Sequence, residues 1–163
     1  MPDAKDIIRA LKLEPLSIEG GFFRETYRSK VQATTPSPRC AGTCIYYLMT
    51  DKDISSWHKV ASDEIWLYHA GSAAIQLLLF PDGSWEERII GPDIVKGQRP
   101  QSLIPAGTWQ AAVLLEREAG TWGLFGAAVH PGFDYADFQI GDSKALAEKY
   151  QEAARRMAET GLA

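Results

Sequence analysis

The stretch Ser55-Ser56-Trp57-His58-Lys59-Val60-Ala61-Ser62-Asp63-Glu64-Ile65-Trp66-Leu67-Tyr68-His69-Ala70-Gly71 decides the fold. Its second half is rich in β-branched and aromatic residues and ends at a glycine, which predicts a strand. Side chains alternate along a strand. Glu64, Trp66 and Tyr68 therefore share one face, and Ile65, Leu67 and His69 take the other. A face carrying a carboxylate, an indole and a phenol suits the lining of a wet cavity better than a dry core.

Outward from this stretch, the middle of the chain reads as short strands. Thr43 to Met49, Glu64 to His69, Ala73 to Phe80, Ser84 to Ile90, Gln101 to Ile104, Thr108 to Leu115 and Thr121 to Val129 all carry the pattern. Pro81-Asp82-Gly83, Gly91-Pro92, Pro105-Ala106-Gly107 and His130-Pro131-Gly132 punctuate them as turns. Strands at this spacing predict an antiparallel sandwich or barrel. Helices are expected only at the ends. Asp3 can cap a short one carrying Ile7, Ile8 and Leu11, stopped by Pro15. Asp142 or Ser143 can cap a longer one with Leu146, Tyr150, Ala153 and Met157 on one stripe and Gly161 beyond it.

The 163 residues suit one domain, with no linker or repeat to divide them, and 45% hydrophobic and 23% charged residues describe an ordinary globular chain. A formal net charge of −4 disfavours a nucleic-acid partner. No apolar run reaches the roughly 18 residues of a membrane helix, and the polar first residues do not read as a signal peptide. Cys40 and Cys44 lack the redox-motif spacing, so a reduced pair in the cytoplasm is expected. There are only three histidines, His58, His69 and His130. A histidine-rich metal site would need nearly all of them.

The segment from His58 resembles the first cupin motif, G-x₅-H-x-H-x₃₋₄-E-x₆-G. His58 stands at the first histidine, Glu64 at the glutamate and Gly71 at the closing glycine, while Val60 replaces the second histidine. Pro105-Ala106-Gly107-Thr108-Trp109-Gln110 resembles the second motif, with Gln110 in place of its histidine. Glu19-Gly20-Gly21-Phe22-Phe23-Arg24-Glu25-Thr26-Tyr27-Arg28-Ser29, Ile45-Tyr46-Tyr47-Leu48, Trp57-His58-Lys59-Val60 and Pro131-Gly132-Phe133-Asp134-Tyr135 extend the likeness to nearly the whole chain. Together they resemble the cupin-5 family of uncharacterised proteins, often labelled predicted sugar epimerases.

The resemblance implies an all-β, single-domain jelly-roll barrel over residues 1–163, RmlC-like, with the site in the barrel mouth. It also implies a homodimer. Metal-binding cupins carry three histidines and a glutamate. This chain offers His58, Glu64 and Gln110 as the only possible ligands, so no cofactor is expected and at most weak divalent-metal binding. Metal-free cupins include nucleotide-sugar epimerases, which remove a proton beside a ketone with a histidine and return one with a tyrosine. Imidazole suits the base. His58 is thus the candidate base, Glu64 or Asp63 its partner, and Tyr68, Tyr47 or Tyr135 the acid. Arg24, Arg28 and Lys59 are the basic candidates for a diphosphate. Tyr47, Trp66, Gln76, Gln101, Trp109, Gln110 and Phe133 are candidates for ligand binding, since aromatic walls with a few amides make a small-molecule site. His69 has the wrong parity for the cavity and His130 is expected at its rim. An isomerase or epimerase acting on a sugar derivative and a non-catalytic sugar- or heterocycle-binding cupin both stay open; a metal-dependent dioxygenase is disfavoured by Val60 and Gln110.

Overall fold

In the computed structural model, which describes residues 2–163, strands fill the middle of the chain and helices its two ends. The N-terminal helix α1 (Ala4–Leu11) starts at Asp3, whose carboxylate accepts from Asp6 N while Asp6 answers with its own. This reciprocal arrangement satisfies two otherwise orphaned donors. Then come β1 (Glu14–Pro15), β2 (Phe22–Arg28), β3 (Thr43–Thr50), β4 (Ser55–Val60), β5 (Asp63–Gly71), β6 (Ala74–Leu79), β7 (Trp85–Ile90), β8 (Gln101–Ile104), β9 (Trp109–Leu114), β10 (Trp122–His130) and β11 (Phe138–Ile140).

Two antiparallel sheets face each other. One runs β1-β2-β3-β10-β5-β8 and the other β11-β4-β9-β6-β7. They are hydrogen-bonded as separate ladders, so the strand pairing makes a sandwich and not the closed barrel expected from the sequence. The C-terminal helix is also corrected. Asp142 caps it as expected, but it is two helices, α2 (Ser143–Lys149) and α3 (Gln151–Thr160), broken at Tyr150. Tyr150 anchors the break by donating its hydroxyl to Phe80 O.

Register sorts the side chains into two cores. On the six-stranded sheet, Tyr47, Phe125 and Tyr68 form one inward row, Ile45, Ala127, Trp66 and Ser102 a second, and Thr43, Val129, Glu64 and Ile104 a third. These meet Ala74, Leu78 and Ala112 of the other sheet in the inner core. A second core lies outside the five-stranded sheet. There Leu77, Leu79, Ala111 and Val113 are covered by Leu146, Ala153 and Met157 of the C-terminal helices. Burying apolar side chains on both faces explains why β6 and β9 read as nearly continuous apolar runs.

Candidate functional site

Between the sheets, toward β4 and the open end of β2 and β3, lies a cavity of about 530 Å³. Its inner wall carries Glu19, Tyr47, His58, Val60, Glu64 and Trp66. This size falls in the ordinary range for small-molecule pockets. Its walls are mostly apolar, with Leu16, Phe23 and Ile45 on one side and Phe133, Tyr135 and Phe138 near the mouth. The last three rings pack edge to face, and Phe138 stacks on His58 at 5.4 Å between centroids.

Glu19 is the site residue that strand periodicity and motif spacing missed, because it lies outside any regular element. It reaches the cavity through the Gly20-Gly21 turn, where both glycines have φ in the left-handed region (110° and 74°). A side chain at Gly21 would collide with Leu48 O. The head of β4 then pins Glu19 twice: Ser56 N donates to Glu19 O at 2.9 Å, and Ser55 Oγ donates to Glu19 Oε1 at 2.7 Å. Glu19 opens the quoted Glu19-Gly20-Gly21 signature, and that was the available signal.

His58 is buried, 3% exposed. Its Nδ1 lies 2.7 Å from Ser56 O. A carbonyl only accepts, so this bond places the hydrogen on Nδ1 and leaves Nε2 of the neutral imidazole as a bare acceptor. Nε2 stands 3.7 Å from Glu19 Oε1, beyond hydrogen-bonding reach. Glu64, also buried, accepts from Trp66 Nε1 at 2.8 Å and from Gln110 Nε2 at 3.0 Å. Burial pushes its carboxyl up; His58 and the two donors oppose the rise, and Glu19 adds to it. Burial likewise holds the Tyr47 phenol well above its usual range, and its hydroxyl donates to Gly20 O at 2.8 Å. Near the mouth, Arg28 pairs with Glu25 at 2.7 and 3.0 Å and donates to Phe133 O at 3.2 Å.

The structure thus gathers His58, Glu64, Tyr47, Trp66 and Phe133 around one cavity, with Gln110 behind Glu64. Arg28 and Tyr135 line it toward the mouth, and the remaining candidates lie elsewhere, His69 on the outer face as its parity requires. Tyr68 faces inward as its parity requires, but lies further along β5, packed against Phe125 with its hydroxyl on Gly71 O. Trp109 points to the opposite face of β9, into the helix-covered core, with Lys59 over its ring. Gln101 is exposed and sits across from Leu67 on the outer face of the six-stranded sheet. Gln76 is buried between the sheets but bonds Ser102 Oγ at 2.7 Å, outside the cavity lining. Arg24 lies over the Tyr46 ring on the outer face, which leaves Arg28 as the one lysine or arginine lining the cavity among the described residues. Asp63 accepts from Ala106 N and does not touch His58. His69 packs edge-on to Tyr46 on the outer face, and His130 ends β10 exposed.

A three-histidine, one-glutamate metal set does not fit these residues. Val60 offers only hydrocarbon where the motif has an imidazole. Gln110 turns its amide nitrogen, a donor and not a ligand, to Glu64, and both Glu64 oxygens are already accepting. Among the described residues no three His, Cys, Asp or Glu side chains gather as a metal-holding group. No helix among them is long and apolar enough to cross a membrane.

The profile of one family, described as Cupin superfamily (DUF985), matches residues 5–141. The chain is 33% identical over 133 residues to the uncharacterized protein YML079W of Saccharomyces cerevisiae. That match covers 73% of this chain and 66% of the yeast protein, so the chain spans just under two thirds of that relative. The crystal structure of protein SO0799 from Shewanella oneidensis superposes with a TM-score of 0.86 at 32% identity over 98% of both chains. A hypothetical protein from Leishmania major does so with a TM-score of 0.88 at 28% identity, again over 98% of each.

Proposed function

We propose that this chain, which belongs to the cupin superfamily family Cupin_5 (DUF985), binds a small molecule in the Glu19–His58–Glu64 cavity, with Nε2 of His58 as the group that accepts the ligand's proton. One observation carries this reading: the Ser56 carbonyl fixes the imidazole so that its open lone pair lies in a buried, apolar-walled cavity. Nε2 opens on the cavity with no protein partner, so a ligand proton would find an acceptor already aimed at it.

The catalytic form of this reading is an isomerase or epimerase in which Nε2 takes a proton from a ligand carbon and a separate acid, a tyrosine, returns one on the opposite face. Binding without turnover is the second form, and a specific observation favours it. Epimerisation needs an acid on the opposite face of the substrate. Tyr68 lies outside the cavity and the Tyr47 hydroxyl is committed to Gly20 O, which leaves only Tyr135, more than half exposed at the mouth. A nucleotide-linked sugar fits poorly as well, since Arg28 is already clamped by Glu25. Incubating candidate ketosugars in D₂O separates the two forms. Loss of an α-proton NMR signal with the native protein, abolished by His58→Ala, supports turnover. Ligand-dependent thermal stabilisation without exchange supports binding alone.

The homodimer is part of the same proposal. The outer face of the six-stranded sheet aligns Cys44, Ala128, Ile65 and Leu103 in one row, and Leu103 is 52% exposed. The C-terminal helices cover only the other sheet. Sedimentation velocity of the native chain and of Leu103→Glu tests it: a dimer that becomes a monomer supports this face, and a monomeric native chain rejects it.

A further inference from the structure

At the inner end of the cavity the indole, amide, phenol and imidazole donors are already committed to the protein, and the hydroxyls left over, those of Thr43 and Tyr135, lie beside Phe133 toward the mouth. Trp66 Nε1 and Gln110 Nε2 donate to Glu64, the Tyr47 hydroxyl to Gly20 O, and His58 Nδ1 to Ser56 O. Arg28 is held by Glu25 and the Phe133 carbonyl. What remains open is acceptors. Nε2 of His58 has no hydrogen-bond partner, and Glu19 takes a side-chain hydrogen bond only on Oε1, from Ser55. Charge runs the same way. The lining holds the carboxyl groups of Glu19, Glu25, Glu64 and Asp134 against one lining guanidinium, which Glu25 neutralises; Arg39, outside the lining, reaches Asp134 at 4.0 Å, which leaves Glu19 and Glu64 without a cation. The rings of Tyr47, Trp66 and Phe23 close the inner wall.

From this donor-poor, acceptor-rich inventory we infer that the ligand is a small organic cation. It is an amine or a protonated nitrogen heterocycle on an apolar body, with its N–H set between the Glu19 carboxylate and Nε2 of His58. The inference rests on the reading of this cavity as a small-molecule site. An ammonium supplies the donors that both acceptors lack, offsets the uncompensated carboxylates in a poorly screened space, and meets the negative faces of the aromatic rings. An anion of the same shape would meet like charge there and find the inner indole, amide and phenol donors already taken.

Three probes of one shape and different charge test this: 2-phenylethylamine, 2-phenylethanol and phenylacetate, titrated calorimetrically into the native chain. The amine is expected to bind about tenfold or more tighter than the alcohol, with phenylacetate weakest. Glu19→Gln is expected to lower the amine's affinity about tenfold and leave the alcohol's within about twofold. Should that variant fold poorly, the ranking of the three probes in the native chain gives the discrimination by itself. Phenylacetate binding as tightly as the amine, or an amine affinity unchanged in a folded Glu19→Gln chain, overturns the inference. If the alcohol binds as well as the amine and Val60→Phe, which puts a ring into the cavity, removes both, the small-molecule site stands and the cation does not. If none of the three binds at millimolar concentration and no ketosugar exchanges a proton, both readings fall.

Discussion

His58 Nε2 stands 3.7 Å from Glu19 Oε1, although Glu19 belongs to a loop before the first long strand and His58 to the middle of β4. The two adjacent serines at the head of β4 create this approach. Ser56 holds the backbone of Glu19 through its N–H and the imidazole through its carbonyl, while the Ser55 hydroxyl holds the Glu19 carboxylate. A loop residue is thereby tied to β4 through both its backbone and its carboxylate.

Ser55→Ala is expected to release Glu19 while leaving His58 in place. Ser55 is fully buried, so the lost bond to a carboxylate should lower stability by about 1–3 kcal/mol. Thermal melts measure that loss. Amine-probe affinity should fall together with it, whereas an unchanged affinity would show that Glu19 does not need this support.

Glu64 sets a pH dependence of unusual sign. Its carboxyl is raised in the folded chain, chiefly by burial, so the native state binds more protons than the unfolded state between the two pKa values. Stability therefore falls as pH rises from the unfolded value, near 4.5, through the raised folded value, and is level above it. Glu64→Gln removes this slope. Its amide can accept from Trp66 and donate to the unpartnered Oε1 of Gln110. The variant should match or exceed the native chain at pH 7 by up to about 1–3 kcal/mol and lose that advantage near pH 4. Melting curves from pH 4 to 8 check it, and parallel curves for the two chains would refute it.

Restoring the missing imidazoles should create a metal site. In Val60→His/Gln110→His, His58 gains two imidazole neighbours, and Glu64 loses the amide that occupies one of its oxygens. Cobalt(II) binding, read from its visible absorption, should tighten on the order of 100-fold over the native chain, at or above what outer-shell partners contribute to metal affinity. Equal cobalt affinity in the two chains would mean that the native residues already suffice.

Trp109 and Tyr68 are candidates that lie outside the cavity, and they test its location. Trp109→Ala should cost roughly 2–4 kcal/mol, because it opens the core beneath the C-terminal helices. Tyr68→Phe should cost about 0.5–1.5 kcal/mol through the lost bond to Gly71 O. Neither should change probe affinity in the cavity by more than about twofold. A large affinity loss in either would place the ligand elsewhere.

Much of the fold is legible in the residues alone, because local rules write it. Asp3 and Asp142 cap their helices through bonds spanning three residues, and the Pro-Gly turns end strands where they stand. Alternation put Glu64 and Trp66 on one face, and the register of β5 bears this out. Ser55 to Val60 and Phe22 to Arg28 are strands that carry the family signatures yet show weak alternation, since polar, charged and aromatic residues mix on both of their faces.

The family, the antiparallel strands with terminal helices, and the candidacy of His58 and Glu64 for one cavity are readable from motif order, caps and a two-residue period, all short-range. Where along each strand the cavity lies depends on how the two sheets pack. Alternation assigns Tyr68 the same face as Glu64, but four residues at roughly 3.3 Å each carry it about 13 Å along the strand, out of the site. Alternation also separates Trp109 from Gln110 without saying which faces inward, and the packing of α2 and α3 settles that. Glu19 reaches His58 through a glycine turn and a pair of serines, a contact that no periodicity encodes because it closes only when β4 is in place.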